Sequence, residues 1–572
     1  MMSSRVMPPR LTFWWMLVIL MVALATIAPA TARAISPTDG AGATSIYRVF
    51  VRNIDDTRRL LDAGWDVVEA RGPDYLLIVG DAADADALRR QGFTVERVES
   101  AGDRLAPFTF YSGYRTVFEH YQHLDAVAAA YPHLARVIDY GDSWRKTTNP
   151  TDPHDLKAIC ITRLRPGDCA LDPNTDKPRF LLIAAIHARE LTTSEMAWRW
   201  IDYLVAGYGV DPDVTWLLDY QEMWVIPVAN PDGRFIVETS NIWQRKNANT
   251  THCPSGAFGV DLNRNASFAW GGSGSSGYSC DETYRGPASA SEPEQSHLEA
   301  LMQQLFHDQR GPLITDTAPL TTSGVMLTLH SYSNLVLLPW GWAQCSPGSP
   351  CPPDKRAPND AGLRALGFRM SHFNGYNTGQ ASELLYWANG TTDDWAYGAL
   401  GIPAYTFEIG PAGGGCGAFH PDYACQDSLF WPQNRGAFLY AAKAARQPYA
   451  LAHGPSALSL TLGVSGTLLT VAATIDDTTL GVAGFDRPAV QAISAAELYI
   501  DAPPWAGGVP IPMTAQDGSF DAASERVVGV LDAGSLTLGR HIIFVRGRDA
   551  DGNWGPVTAM WVNRSILPAV YR

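Results

Sequence analysis

The sequence predicts a small α+β domain, then a large α/β domain with a mixed, mainly parallel sheet flanked by helices, then an all-β sandwich. Between residues 45 and 100, strand and helix patterns follow the order β-α-β-β-α-β. From residue 108 to 450, helical and strand patterns alternate. Beyond Pro455 the helical patterns stop, and alternating apolar runs between Gly, Asp and Pro turns continue. The predicted domains therefore span 45–100, 108–450 and 456–572.

The composition is that of a folded, acidic protein. The chain of 572 residues has 43 Lys and Arg against 58 Asp and Glu, which gives a net charge of −15 at pH 7. Its hydrophobic fraction of 46% supplies enough apolar residues for sizeable cores and argues against disorder. Because binding to nucleic-acid phosphates requires clustered basic residues, this balance argues against a nucleic-acid partner.

The first 34 residues have the pattern of a secretory signal peptide. Arg5 and Arg10 precede an almost wholly apolar run from Leu11 to Ala28, and Ala32-Arg33-Ala34 offers a small-residue cleavage site. The alternative is an uncleaved anchor helix, for which the apolar run is nearly long enough. We expect residues 1–34 to be removed and the mature protein to be secreted, extracellular and without a membrane span.

The eight cysteines predict four disulfide bonds. They form four couples that each bracket a loop: Cys160 and Cys169, Cys253 and Cys280, Cys345 and Cys351, and Cys416 and Cys425. Sequence alone permits many connectivities, but pairing within each couple costs the least loop-closure entropy. A structural zinc site is the alternative, although no Cys-x-x-Cys motif is present to begin one. Four disulfides fit an oxidising compartment.

Three apolar runs of the large domain are predicted as central strands, and each ends in residues that can bind a metal. The runs 179–186, 324–329 and 403–407 are followed by His187-Ala188-Arg189-Glu190, by His330 and by Glu408. Open α/β sheets bind their ligands beyond the carboxyl ends of strands, so these side chains are expected to meet. Catalytic zinc takes three nitrogen or oxygen ligands from the protein. Two histidines and one glutamate can supply them, which leaves the other glutamate as a base.

Two further segments add cations and amides. They are Trp243-Gln244-Arg245-Lys246-Asn247 and Gly259-Val260-Asp261-Leu262-Asn263-Arg264-Asn265. Oxyanions and carboxylates both need fixed hydrogen-bond donors of this kind. A solvated basic loop is the alternative interpretation for either segment taken alone.

Together these motifs resemble the zinc metallocarboxypeptidases of the carboxypeptidase A, B and T type, over roughly residues 108–450. The family's His-x-x-Glu motif with an internal arginine is matched at residues 187–190, and its His-Ser-Tyr-Ser stretch begins at His330. The resemblance implies that one zinc ion per chain binds His187, Glu190 and His330. It also implies that Asp261 supports His187 and that a family disulfide joins Cys253 to Cys280.

The resemblance assigns catalytic and substrate-binding roles as well. It makes Glu408 the catalytic glutamate and Arg245 the cation that steadies the oxyanion. Gln244 separates Arg245 from the tryptophan to which the family's arginine is usually adjacent, so Lys246 is the alternative for that role. The implied substrate-binding residues are Arg189, Asn263, Arg264, Tyr332, Tyr386 and Asp393.

The implied function is that of a secreted zinc carboxypeptidase that hydrolyses the C-terminal peptide bond of peptides and proteins. Arg264 would grip the free carboxylate, which implies an exopeptidase. Asp393 matches the floor of the pocket for the terminal side chain and favours Lys or Arg there, unless it merely bonds a nearby backbone amide. Two alternatives are a zinc amidase acting on cell-wall peptides and a non-catalytic surface-binding protein. The intact zinc-ligand and glutamate motifs argue against the latter.

The flanking domains resemble known accessory modules. The order of elements in residues 45–100 is similar to that of the family's inhibitory pro-segments, with cleavage expected near the linker at 101–107. A permanent accessory domain is the alternative. The C-terminal domain resembles immunoglobulin and fibronectin type III domains, and a surface or polymer is its expected partner.

Overall fold

The computed structural model describes residues 44–100, 112–253, 257–413 and 415–564. All of these residues fall within one compact unit. The predicted signal peptide and the predicted cleavage linker at 101–107 lie outside the described residues. Among the helices of the described part, none is both long enough and apolar enough to cross a membrane.

Residues 45–100 form a four-stranded antiparallel sheet with two helices, in the predicted order of elements. The elements are β1 (Ser45–Phe50), α1 (Ile54–Asp62), β2 (Val67–Arg71), β3 (Tyr75–Gly80), α2 (Ala82–Arg90) and β4 (Val95–Ser100). The strands lie in the order β2-β3-β1-β4. Asn53 and Asp81 cap the two helices by accepting backbone N–H groups of the first turn, which explains where the helices begin. We call these residues the N-terminal module.

The large domain is built on an eight-stranded sheet. Its strands are β5 (Ala135–Asp142), β6 (Asp155–Ile161), β7 (Arg179–Ala184), β8 (Glu222–Ile226), β9 (Val325–His330), β10 (Leu335–Leu338), β11 (Asn377–Gln380) and β12 (Ala404–Glu408). They lie in the order β11-β10-β12-β9-β7-β8-β6-β5. Four of the seven pairings are parallel, including the central run β12-β9-β7-β8. The sheet is therefore mixed and mainly parallel, as predicted.

Helices cover both faces of this sheet. They are α3 (Val117–Ala130), α4 (Trp144–Thr148), α5 (Leu191–Gly207), α6 (Pro212–Tyr220), α7 (Pro231–Thr239), α8 (Pro293–Leu305), α9 (Asp360–Asn374), α10 (Ala381–Leu384), α11 (Thr392–Leu400), α12 (Trp431–Ala444) and α13 (Pro448–Leu451). Alternate residues of β7 enter two different cores, Leu182 on one face and Leu181 on the other. Because both faces are buried, the strand is apolar throughout. It ends two residues earlier than predicted, where Ala185 adopts a φ of 54°.

The C-terminal region is all-β, as predicted, but it is one folded sheet rather than two separate ones. Its strands are β13 (Ser456–Ser465), β14 (Leu468–Asp476), β15 (Ile493–Ile500), β16 (Ile511–Ala515), β17 (Ser524–Asp532), β18 (Gly539–Asp549) and β19 (Thr558–Arg564). The short strand β16 pairs with β15 on one side and with β17 on the other. This joins the two halves around a single core and removes two strand edges that a sandwich would expose.

The C-terminal region is attached to the large domain by buried polar contacts. The guanidinium of Arg369 in α9 donates to the Asp477 carboxylate and to the Thr479 hydroxyl, and the Arg369 and Asp477 side chains are almost fully buried. Thr378 of the edge strand β11 donates its N–H to the carbonyl of Ala483 at 3.1 Å and accepts the N–H of Phe485 at 3.1 Å. Residues 483–485 therefore continue the central sheet beyond β11.

The four predicted disulfides are confirmed. The Cα atoms of the pairs lie 5.9 Å apart for Cys160–Cys169, 5.3 Å for Cys253–Cys280, 5.4 Å for Cys345–Cys351 and 5.8 Å for Cys416–Cys425. All eight cysteines are consumed, which leaves none free. Pairing between sequence neighbours is what the loop-closure argument favours.

Candidate active site

The three sequence-predicted metal ligands meet at the carboxyl ends of β7 and β9. Nδ1 of His187 lies 2.6 Å from Oε1 of Glu190 and 3.1 Å from Nδ1 of His330. Nδ1 of His330 lies 3.2 Å from Oε2 of Glu190. All three side chains are buried, and their donor atoms converge on one point. Two imidazole nitrogens and a carboxylate oxygen are ligands that zinc accepts, so the donor set fits zinc.

The neighbouring charges keep the acidic groups of this cluster ionised. Nε2 of His187 lies 3.2 Å from Oδ1 of Asp261, and Nε of Arg245 donates to Oδ2 of the same carboxylate at 3.1 Å. Burial alone would raise the pKa of Asp261, but Arg245 and His187 hold it well below its usual range. Burial likewise opposes ionisation of Glu190, whose pKa is lowered by the imidazoles of His187 and His330. Both carboxylates are therefore in the charged form that binds cations.

Glu408 lies beside this cluster because β12 and β9 are parallel neighbours. Glu408 is paired in register with His330 and is buried. The two residues line a cavity of about 40 Å³, which is far below the 300 Å³ or more of typical small-molecule sites. The cavity is also lined by other sequence-predicted site residues, namely Asn263, Arg264, Tyr386 and Asp393.

Asn263 and Arg264 reach the cavity on a single helical turn, residues 262–264. Oδ1 of Asn263 accepts the N–H of Thr392 at 3.0 Å. Nε of Arg264 donates to the carbonyl of Gly274 at 2.8 Å, and Nη1 donates to the carbonyl of Asn263 at 2.8 Å. These contacts fix an amide and a guanidinium at the wall of the cavity.

Asp393 presents a buried carboxylate to the same cavity. Its Oδ1 accepts the N–H of Asp394 at 2.9 Å, and its Oδ2 accepts the hydroxyl of Thr406 at 3.1 Å. In the described part of the chain, no basic side chain forms an ion pair with Asp393. The hydrogen bond from the Asp394 N–H is of the kind expected if Asp393 merely bonds a nearby backbone amide. This bond uses one carboxylate oxygen, and the Asp393 carboxylate still lines the cavity.

The two candidates for the oxyanion role have different surroundings. Arg245 contacts the Asp261 carboxylate, which in turn contacts His187. Nζ of Lys246 instead donates to the backbone carbonyls of Ala257 and of Asp281. Gln244 binds backbone carbonyls through its side-chain amide. Arg245 is therefore the cation connected to the metal-ligand cluster.

Three predicted substrate-binding residues contact the N-terminal module. The Arg189 guanidinium forms a bidentate pair with Asp66, with Nη1–Oδ2 at 2.6 Å and Nη2–Oδ1 at 2.7 Å. The Tyr386 hydroxyl donates to the carbonyl of Val67 at 3.4 Å, and Tyr332 packs in one apolar cluster with module residues such as Val68 and Leu77. Asp66 belongs to no motif of the sequence; its available signal was an acidic residue just before a strand of a predicted inhibitory module.

Comparisons with known proteins agree with this site. A family model described as zinc carboxypeptidase matches residues 120–435. Carboxypeptidase A2 of Rattus norvegicus is 30% identical over 344 residues, which are 60% of this chain and 72% of the relative. A zinc carboxypeptidase of Saccharothrix mutabilis subsp. capreolus is 28% identical over 66% of this chain and 83% of its own length. The crystal structure of carboxypeptidase A from Helicoverpa armigera superposes with a TM-score of 0.56, at 21% identity over 72% of this chain and 99% of that one.

The fold and the donor set together define a zinc-dependent hydrolase. The family model covers more than half of the chain, and it includes His187, Glu190, His330 and Glu408. The chain belongs to the zinc carboxypeptidase family and is a metallocarboxypeptidase.

Proposed function

We propose that this protein acts outside the cell as an exopeptidase that removes the C-terminal residue of peptides and proteins. The observation that carries the proposal is the single cavity at which His330, Glu408 and Arg264 meet. Four disulfides support an extracellular site of action. The test is to incubate the active enzyme with matched peptides that end in a free carboxylate or in an amide. Stepwise release of residues from the free acid alone supports the proposal, whereas internal cleavage of both peptides contradicts it.

The proposed mechanism assigns one task to each side chain. Zinc would be held by His187, Glu190 and His330. At such sites zinc lowers the pKa of the bound water and polarises the scissile carbonyl. Glu408 accepts the proton of the attacking water and passes it to the leaving amine. Arg245 donates to the developing oxyanion, and Arg264 binds the terminal carboxylate of the substrate.

The same residues give less support to the two alternative functions, a zinc amidase and a non-catalytic binding protein. A zinc amidase for cell-wall peptides would use the same cluster and base and would differ in the stereochemistry at the scissile end of its substrate. A non-catalytic binding protein has no need for a buried carboxylate next to a zinc ligand set, and burial of such a group is costly. The guanidinium and the amide at the cavity wall favour a substrate with a free carboxylate.

The pocket residue Asp393 leads us to propose a preference for C-terminal Lys or Arg. Burial and the adjacent Asp393 raise the pKa of Asp394 well above its usual value, because the two carboxylates repel each other. A cationic substrate side chain in the cavity would pair with the buried Asp393 carboxylate. An apolar terminal residue would instead leave the Asp393 carboxylate buried without a cation.

Asp393→Ile is expected to shift specificity from Lys and Arg towards Phe and Leu, by roughly 10–100-fold in the ratio of kcat/KM values, because one charge-assisted hydrogen bond is lost. Asp393→Asn is the matched control, since it keeps the size of the side chain and should lose the basic preference without gaining much apolar activity. The measurement is the release of each residue from peptides that differ only at their end. A wild type that prefers Phe rules out the pocket assignment and leaves the carboxypeptidase proposal intact.

We further propose that residues 45–100 act as an inhibitory pro-segment, removed by cleavage near residues 101–107. Two residues of the module contact predicted substrate-binding residues: Asp66 pairs with Arg189, and the carbonyl of Val67 accepts the hydroxyl of Tyr386. Its apolar residues share a cluster with cavity-lining residues: Trp65, Val67 and Leu76 pack with Leu337, Leu385 and Tyr386. These contacts and the small size of the cavity support inhibition rather than the alternative, a permanent accessory domain.

Asp66→Ala is expected to raise the peptidase activity of the uncleaved protein by at least about tenfold, because Arg189 loses its buried partner at a cost of about 3 kcal/mol. The measurement is the rate of hydrolysis before and after limited proteolysis. Asp55→Ala is the control, because Asp55 is exposed on α1 and pairs with Arg58 of the same helix. Equal rates before and after removal of the module would identify it as an accessory domain.

A further inference from the structure

A second group of metal-ligand side chains shares no residue with the active site. It comprises Asp152, His154 and Asp232, whose candidate ligand atoms all lie within 4.8 Å of one another. Asp152 and His154 stand in the loop between α4 and β6, and Asp232 lies in the first turn of α7. The chain fold brings the two segments together, so no sequence spacing reveals the group.

The distances in this group match those in the candidate zinc site of the same molecule. Nδ1 of His154 lies 2.8 Å from Oδ1 of Asp152 and 3.2 Å from Oδ1 of Asp232. Two ligand atoms about 2.1 Å from one zinc ion are about 3.0 Å apart at a right angle and about 3.4 Å apart at the tetrahedral angle. The donor atoms of the active-site cluster are separated by 2.6, 3.1 and 3.2 Å. Both groups therefore have ligand spacings suited to one small cation.

Two of the three candidate ligand atoms are buried and make no well-aligned hydrogen bond. Asp232 is fully buried and His154 is 7% exposed. Among the described residues, neither Oδ1 of Asp232 nor Nδ1 of His154 makes a hydrogen bond of suitable angle, although the two atoms lie 3.2 Å apart. Buried polar atoms without partners are costly and uncommon. A cation placed between these atoms would satisfy both of them.

The surroundings hold the ligand atoms in place. The N–H of Arg145 donates to Oδ2 of Asp232 at 2.7 Å, and Nε of Arg145 lies 3.4 Å from Oδ2 of Asp152. The His154 ring packs against Phe235, with the ring centres 5.2 Å apart. Contacts of this kind around metal sites orient the ligands. Here they leave Oδ1 of each aspartate turned towards the imidazole.

We propose that Asp152, His154 and Asp232 bind a second divalent ion of the zinc type. An imidazole nitrogen with two carboxylate oxygens suits zinc and related transition ions, whereas calcium takes six to eight oxygen ligands. The ion fastens the loop that precedes β6 to the start of α7.

The test counts zinc ions in the full-chain protein, equilibrated with excess zinc and then freed of unbound metal. We expect two zinc ions per chain in the wild type and one in His154→Gln, with the affinity of the second site weakened by at least about 100-fold. His123→Gln is the matched control and should keep both ions, because His123 pairs with Asp202 at 2.7 Å outside either cluster. Asp152→Asn, on a partly exposed loop, gives the same count if His154→Gln does not fold.

The count also separates the two sites. His330→Ala should remove the active-site ion alone, and the double variant with His154→Gln should bind none. A wild type that binds one ion, lost in His154→Gln and kept in His330→Ala, supports this site and contradicts the proposed active-site ligands. A single ion that both His154→Gln and Asp152→Asn retain overturns the second site. Binding of calcium but not zinc at this group overturns it as well.

Discussion

Glu408→Gln is expected to lower turnover by roughly 10²–10⁴-fold while the zinc content stays unchanged. The amide keeps the shape of the carboxylate but cannot accept the proton of the attacking water, and lost general-base catalysis has about this cost. Glu408 is buried at the end of β12, in register with His330, so the substitution removes the base next to the ligand cluster. The measurement is kcat on a free-acid peptide together with the metal content of the purified variant.

Glu299→Gln is the control for this prediction. Glu299 is a buried glutamate of α8 that accepts the N–H of Ser267 at 2.8 Å, and it does not line the cavity. Its substitution should lower the free energy of unfolding and leave kcat close to that of the wild type. If Glu408→Gln retains wild-type turnover, another residue is the base.

His330→Ala is expected to remove one zinc ion per chain and to reduce activity to the background. The substitution deletes one of three protein ligands, and loss even of a supporting partner at a zinc site costs about 10–100-fold in affinity. Zinc content and peptide hydrolysis are measured on the same sample.

The control for the ligand variant is His372→Ala. His372 is exposed on α9 and belongs to neither metal-ligand group. It should keep wild-type zinc content and activity, which shows that a histidine substitution by itself does not strip the metal. Full zinc occupancy and activity in His330→Ala would falsify the ligand assignment.

Much of the fold could be predicted because its signals are local. The run before His187 is apolar at every position because β7 is buried on both faces, and the alternating runs beyond Pro455 have one face buried. The course of β16 could not be predicted, because the sequence does not record which strands a short segment pairs with on either side. Strand ends were missed by one or two residues, as at Ala185, where a single positive φ ends β7.

The candidate site was largely predictable for a related reason. Its predicted metal ligands and Glu408 stand at or just after the ends of apolar strands, and a parallel sheet brings such positions to one edge. The contact between Asp66 and Arg189 was not predictable, since 122 residues separate the pair and neither side chain has a local pattern. The same holds for Asp232 and His154, which the fold brings together from the start of a helix and from a loop. Sequence indicates which side chains end a strand but not what packs over them.

The strand addition at Thr378 covers part of the exposed edge of the catalytic sheet with the C-terminal region. Residues 483–485 pair with the outer side of β11, so this edge of the catalytic sheet offers no free backbone groups there to another molecule. A chain cut near residue 455 would expose that edge and would also remove Asp477, the buried ion-pair partner of Arg369. Exposed strand edges are the sites where proteins associate into aggregates. We therefore expect the catalytic region to be more soluble when the β region accompanies it than when it is produced alone.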